Sequence, residues 1–370
     1  MANSVTIDAN RQELWSNDLL MDAAREIENI LPFVGSDSNN IVQVHDDLGK
    51  KKGDKENFTL VARLKGDGVT GDDELEGNEE AMLSFNESVD IDQIRNAVRL
   101  EGKLDEQKVI YDQIKPGRDG LKLWMVEYKI RQIFNKLAGV TNTTLVDTNG
   151  DATSVRCTWS NTPDFIPDAD TAAGSGNRYL SAAGAGTSAA AMTSAHKMTL
   201  DFVTELATKA KLCNPKIQPL NVDGENIYVL FMHPLCARDI RKSSDWKTAQ
   251  ENAKVRSDKN PVFRGALGYW SNVLLLENEY IPWLDVSVAG NSWRGAATGT
   301  DYAVDTAANL LCGRQAVLCA QAKNPKALVH KTFDFDNKEA MAGSLIEGYQ
   351  KAMFNSKEFG VILADAAAAV

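Results

Sequence analysis

The chain has 370 residues, 43% hydrophobic and 25% charged, the proportions of an ordinary soluble globular protein with one elaborated domain or two compact ones. Its net charge of -11 argues against sequence-specific nucleic-acid binding, which needs clustered Lys and Arg. The only basic run, Lys50-Lys51-Lys52, is flanked by Asp46, Asp47, Asp54 and Glu56.

The first residues, Met1 to Asp8, hold neither a basic region nor an apolar core, so no secretory signal is expected. No apolar run approaches the roughly 20 residues needed to cross a bilayer. Residues 1–56 read as an N-terminal arm with one short helix. Asn17 or Asp18 can cap it, and Leu19, Leu20, Met21, Ala24, Ile27 and Ile30 line it before Pro32 stops it.

Residues 57–91 read as an extended hairpin. Phe58, Leu60, Ala62 and Leu64 alternate with polar positions, and Leu83, Phe85, Val89 and Ile91 repeat the period on the return. Between the strands, Lys65 to Glu80 is glycine-rich, acidic and nearly devoid of apolar residues. An isolated two-stranded hairpin is marginal in water, so this one needs an outside surface to lie on, such as another subunit.

A long helical region follows, about 104–138. Leu123, Val126, Ile130, Ile133, Phe134 and Leu137 recur at helical spacing, Gly139 stands at the cap position, and Pro116, Gly117 and Gly120 predict a kink or split. Residues 140–195, rich in Gly, Ala, Ser, Thr and Asn, read as a surface excursion. A helix over Leu200 to Ala210 ends before Pro215. Ile227–Met232 is a strand apolar on both faces, and Pro234 opens another helix. Val273–Leu276, Ala316–Ala320 and Gly360–Ala364 read as further buried strands, giving a mixed α+β class. No period repeats along the chain, which excludes a solenoid.

Chemistry is sparse. The four histidines (His45, His196, His233, His330) are far apart and none pairs with Cys or a carboxylate at metal-ligand spacing. His233, at the end of a buried strand, reads as a hydrogen-bonded structural residue rather than a base. The five scattered cysteines (Cys157, Cys213, Cys236, Cys312, Cys319) read as buried free thiols in a reducing cytosol. Asp147-Thr148-Asn149-Gly150-Asp151 opens like a calcium loop, but Ala152 and Thr158 occupy the positions that need Gly and Glu. Gly184-Ala185-Gly186-Thr187-Ser188-Ala189 imitates a dinucleotide loop without following a strand. The tip carboxylates Asp72, Asp73, Glu74, Glu79 and Glu80 read as solvated. No catalytic, cofactor or metal site emerges.

An ordered set of segments resembles the major capsid proteins of tailed double-stranded-DNA bacteriophages, in a podophage-type branch of the Hong Kong ninety-seven capsid fold. The set runs Leu64–Gly71, Leu75–Glu80 and Ile91–Arg99, then His233-Pro234, Asp245-Trp246 and Asn260–Gly268. Leu310–Ala316, Lys351–Phe354 and Phe359–Val361 close it. No single motif is decisive; the order over nearly the whole chain is specific.

The resemblance implies an N-terminal arm, an extended two-stranded loop, a peripheral domain (92–212 and 311–370) with a spine helix, and an axial domain (213–310). It implies a structural role: hexamers and pentamers closing into an icosahedral head around packaged DNA, assembled in the bacterial cytoplasm. A protein that only walls off DNA needs no basic patch. A separate scaffolding protein, a portal protein and a decoration protein are the partners to expect, with no leader or scaffold-like coiled coil at the N-terminus. The candidate intersubunit contacts are Asp72, Asp73, Glu74, Glu76, Glu79 and Glu80 on the tip, facing either Lys50, Lys51 and Lys52 or Arg238, Arg241 and Lys242. An encapsulin-type nanocompartment shares the fold, and a soluble hydrolase is the distant alternative.

Overall fold

The computed structural model describes residues 30–46, 48, 53–64, 66, 68–104, 114–138, 178–184, 192–222, 224–252, 266–284, 304–333, 337–355 and 357–368. The expected N-terminal helix, the glycine-rich loop beyond Gly184 and the calcium-like turn at Asp147 lie outside them, apart from Ile30, which is buried.

In chain order come β1 (Val34–Gly35), β2 (Val42–His45), β3 (Lys55–Val61), β4 (Ser84–Asp90) and β5 (Asp92–Arg99). Helix α1 (Ile114–Ala138) leads to β6 (Tyr179–Ser181), α2 (Leu200–Leu212), β7 (Leu220–Val222) and β8 (Glu225–Met232). Then follow α3 (Pro234–Lys242), α4 (Ser244–Asn252), β9 (Ala266–Trp270), β10 (Val273–Glu277), β11 (Trp283–Leu284) and β12 (Thr306–Cys312). The chain ends with β13 (Val317–Phe333), β14 (Lys338–Lys351), β15 (Met353–Phe354), β16 (Lys357–Glu358) and β17 (Val361–Ala367).

The centre is an eight-stranded mixed sheet in the order β6-β17-β12-β8-β10-β9, with β11 added on β12 and β7 on β8. Strands β8 and β10 carry uninterrupted apolar runs, Ile227–Met232 and Val273–Leu276, because helices cover both faces, while β12 and β17 bury Asn309 and Asp365 among apolar neighbours. Val229 and Phe231 point to the side of α1, where Phe231 meets Phe134 and Phe33 edge-on at 5.3 and 6.3 Å. Tyr228, Leu230 and Met232 point the other way, against Val203, Leu206 and Ala210 of α2 and Cys236 and Ile240 of α3.

The second sheet, β1-β2-β13-β14-β5, is built on the long β13–β14 hairpin and lies along α1. Met125 of α1 packs on Leu345. It comes so close to Gly343 that a Cβ there would stand 2.3 Å from its terminal carbon. Lys129 Nζ donates to Glu347 Oε1 at 2.7 Å, tying the same helix to β14.

Helix α1 runs through Pro116, Gly117 and Gly120 within its described span, and residues 105–113 of the expected helical region lie outside the described residues. Two expectations change. The segment 140–195 is not wholly a surface excursion. Tyr179–Ser181 joins the central sheet beside β17, and Leu180 and Met192 are buried. A three-residue strand is too short to show a period in so polar a context. Finally, the central sheet draws strands from both sides of the expected boundaries. The division between 310 and 311 falls inside β12, and that between 212 and 213 leaves α2 apart from the sheet it covers.

Candidate functional site: the extended arm

β3 and β4 pair only with each other among the described strands, in register from Lys55 opposite Asp90 to Val61 opposite Ser84. Lys55 Nζ and Asp90 Oδ1 meet at 2.9 Å on the solvent side. Alternation works as the sequence predicts near the root: Phe58 and Val89 are buried against the body, with Leu60, Phe85 and Ile91 partly so. The pairing extends one bond further, from the Ala62 N–H to the Leu83 carbonyl, and then ends.

Beyond that point the chain is held by turns. Gly77, at φ 90°, takes a backbone conformation that side chains rarely adopt, with nothing near enough to crowd a Cβ, so freedom of φ is what it supplies. Two expected contact carboxylates are occupied within the tip: Glu80 Oε2 accepts from the Gly66 N–H at 2.6 Å, and Glu79 Oε2 from the Gly77 N–H at 2.8 Å. Asp72, Asp73, Glu74 and Glu76 are exposed, leaving a compact anionic cap.

The extent of apolar exposure on the arm is not evident from the alternation alone. Val61, Leu64, Leu75, Met82 and Leu83 are 55–72% exposed, and they are five of the eight large hydrophobic residues exposed in the described chain. Leu64 and Leu83 carry the right alternation for an inward face, but they lie past the point where the body supports the hairpin. The signal was present in the strand length, which runs past the body surface formed by the described residues.

The basic candidates divide. Arg241 bonds to Glu277 Oε2 at 2.5 Å and Arg238 Nε to Asp239 Oδ1 at 3.2 Å, so both are engaged within the subunit. Lys242 is exposed at the end of α3, and Lys50, Lys51 and Lys52 lie outside the described residues.

The groups considered for chemistry are built into the fold. His233 caps α3, its Nδ1 accepting from the Leu235 N–H at 3.4 Å, and its ring stacks on Trp283 at 5.9 Å. The His233 backbone N–H donates to Asn309 Oδ1, and burial pulls the imidazole down to about 4. Burial pushes the thiols of Cys236 and Cys319 up to about 12, and raises Cys312 as well, so these are not nucleophiles. Among the described residues no three His, Cys, Asp or Glu side chains gather as a metal site.

Comparison with solved structures places the fold. The capsid of Ralstonia phage GP4 superposes with a TM-score of 0.72 at 25% identity, covering 91% of this chain and 90% of that one. The cyanophage Pam1 capsid asymmetric unit gives 0.71 at 24%, covering 92% of each. The fold is thus the α+β capsid fold of the Hong Kong ninety-seven type. A family model described as phage capsid protein matches residues 4–370, and the major capsid protein of Pseudomonas phage KPP25 is 30% identical over 97% of this chain and 96% of its own length. The chain belongs to the phage capsid protein family.

Proposed function

We propose that the chain is the major capsid protein of a tailed double-stranded-DNA phage, a coat subunit that builds hexamers and pentamers and closes them into an icosahedral head. The observation that carries this is the family match over almost the entire chain, with a relative of the same length. The match favours a phage shell over an encapsulin-type compartment. A purely structural role fits a chain whose histidine and thiols serve its own packing.

On this reading the arm is the principal adhesive element between copies. Its five exposed apolar side chains gain burial only when a second copy covers them, and its anionic cap sets where they land. Lys242 is the best-placed basic partner on α3, with Lys50, Lys51 and Lys52 as the alternative and Arg238 and Arg241 secondary because they are already paired. Division into axial and peripheral parts follows the two sheets, with 213–310 supplying much of the first. A separate scaffold, a portal and a decoration protein complete the head, which encloses DNA without reading its sequence and forms in the host cytoplasm.

Electron microscopy of the purified chain, alone and with the phage's other structural proteins, tests the proposal. Uniform shells, or rings of five and six, containing nucleic acid when made in infected cells, are expected. A monomer under every condition, or shells that carry an enzyme cargo, would overturn it.

A further inference from the structure

Among the described strands the arm shares no sheet ladder with the body, yet its root is not loosely attached. Phe58 and Val89 sit in a socket formed by Leu318 and Ala320 of β13, by Ala352, and by Phe354 with Phe359 beside it. Phe354 and Phe359 meet edge-on at 5.5 Å; Phe354 lies in β15 and Phe359 directly follows β16, in a small hairpin that pairs Met353 with Glu358 and Phe354 with Lys357. Beneath it Lys351 Nζ donates to Glu358 Oε1 at 2.6 Å, with the two side chains 1% and 0% exposed.

A fully buried ion pair is poor evidence of stabilisation, because two well-packed apolar side chains of the same volume commonly serve as well. What a buried pair does supply is direction: both ends must coincide, so the strand carrying Lys351 and the strand carrying Glu358 can take one relation only. Here that relation aims Phe354 at the arm. A second constraint acts on the return strand. A Cβ on Gly348 would stand 2.1 Å from the Asp90 carbonyl oxygen and 3.0 Å from a Val89 methyl, so β14 presents a bare backbone where the arm leaves it.

We propose that Lys351, Glu358 and Gly348 are positioning residues for assembly: together they fix the angle at which the arm leaves the body, and so where its exposed apolar residues and anionic cap meet a second copy. The proposal rests on the reading that the arm docks between copies. It makes the β15–β16 hairpin a bracket for the arm rather than a surplus turn in the core.

Two full-length variants test it, K351M/E358L, which removes both charges while keeping volume, and G348A, which keeps the pair and wedges the exit. Hydrogen exchange is read on the unassembled subunit and shell yield on the assembling one. Expected is about tenfold faster exchange over β3 and β4 with β8 and β12 unchanged, and a comparable fall in closed shells. Unchanged exchange at the root in either variant overturns the bracket. Equal acceleration in β8 and β12 also overturns it, since the residues are then merely structural. Should K351M/E358L fail to fold, the pair is a fold determinant and not a positioning one. Faster root exchange with undiminished shells overturns the docking reading, and with it the assembly role.

Discussion

The central sheet and the arm follow the same pairing rules and end in opposite conditions. In the sheet, β8 is apolar at every position from Ile227 to Met232 and each of those side chains is buried, half against α1 and half against α2 and α3. In the arm, the inward alternation of β3 and β4 is honoured only at the root, and the outer apolar residues meet solvent. One region completes its own burial, and the other leaves its outer apolar residues exposed among the described residues. A shell subunit needs both: a body that folds before assembly, and a surface whose apolar area is covered only by assembly.

The sharpest way to break that contrast is to open the sheet. Phe231→Ala removes the ring that Phe33 and Phe134 pack on edge and leaves a void that two elements cannot close. It should cost about 3–5 kcal/mol, and urea denaturation should show it directly. Insolubility of the unassembled subunit is the corresponding cellular outcome.

Next in size is the tie between α1 and the second sheet. Glu347 accepts from Lys129 at 2.7 Å on one oxygen and from Tyr349 Oη at 2.7 Å on the other, and its side chain is almost fully buried. Lys129→Met strands the carboxylate and should cost about 3 kcal/mol, most of which K129M/E347L should return. Thermal unfolding of the two variants separates a buried charge left alone from a loss of packing.

Acid supplies a smaller, graded effect. Burial holds His233 neutral down to about 4, whereas in the unfolded chain the same group takes a proton near its ordinary value of 6.5. Between those limits the unfolded state binds more protons, so stability rises with pH, and falls as pH drops from 6.5 towards 4. The loss is on the order of 2–3 kcal/mol, allowing for the part of the ring in solvent. Midpoints measured across that window should lose this component in His233→Asn, which keeps a capping side chain without the titration.

The sequence revealed more of the body than of what steers the arm. Long apolar runs such as Ile227–Met232 and Val273–Leu276, the period of α1 and the alternation around Phe58 are local signals, and each forms the expected element. The β13–β14 hairpin was visible only at Ala316–Ala320. Its return strand carries Ala342, Gly343, Ser344 and Gly348, residues with weak strand preference whose reason is close approach: Met125 fills the space over Gly343, and the arm fills that over Gly348. Such needs arise from partners far along the chain. The division of the tip carboxylates between backbone ties and free charge was hidden for the same reason, since Glu80 and Gly66 become neighbours only when the loop closes.

The smallest effect on folding should accompany the largest effect on assembly. Asp72, Asp73 and Glu74 are exposed side chains on a tip whose residues 71–80 are all exposed among the described residues, so D72K/D73K/E74K should change stability by no more than about 0.5 kcal/mol. Single exposed ion pairs contribute only about 0–1 kcal/mol, which alone would make the tip look dispensable. On the proposed docking, however, the contact would recur at every equivalent interface of a closed shell, and reversing its sign would replace attraction with repulsion at each one. The variant should therefore melt like the parent yet form no shells, with partial rescue when Lys242→Glu restores the opposite sign. Normal shells from the triple variant would leave the exposed apolar residues Val61, Leu64, Leu75, Met82 and Leu83 as the adhesive feature of the arm. L64S/M82S should then abolish assembly at unchanged subunit stability.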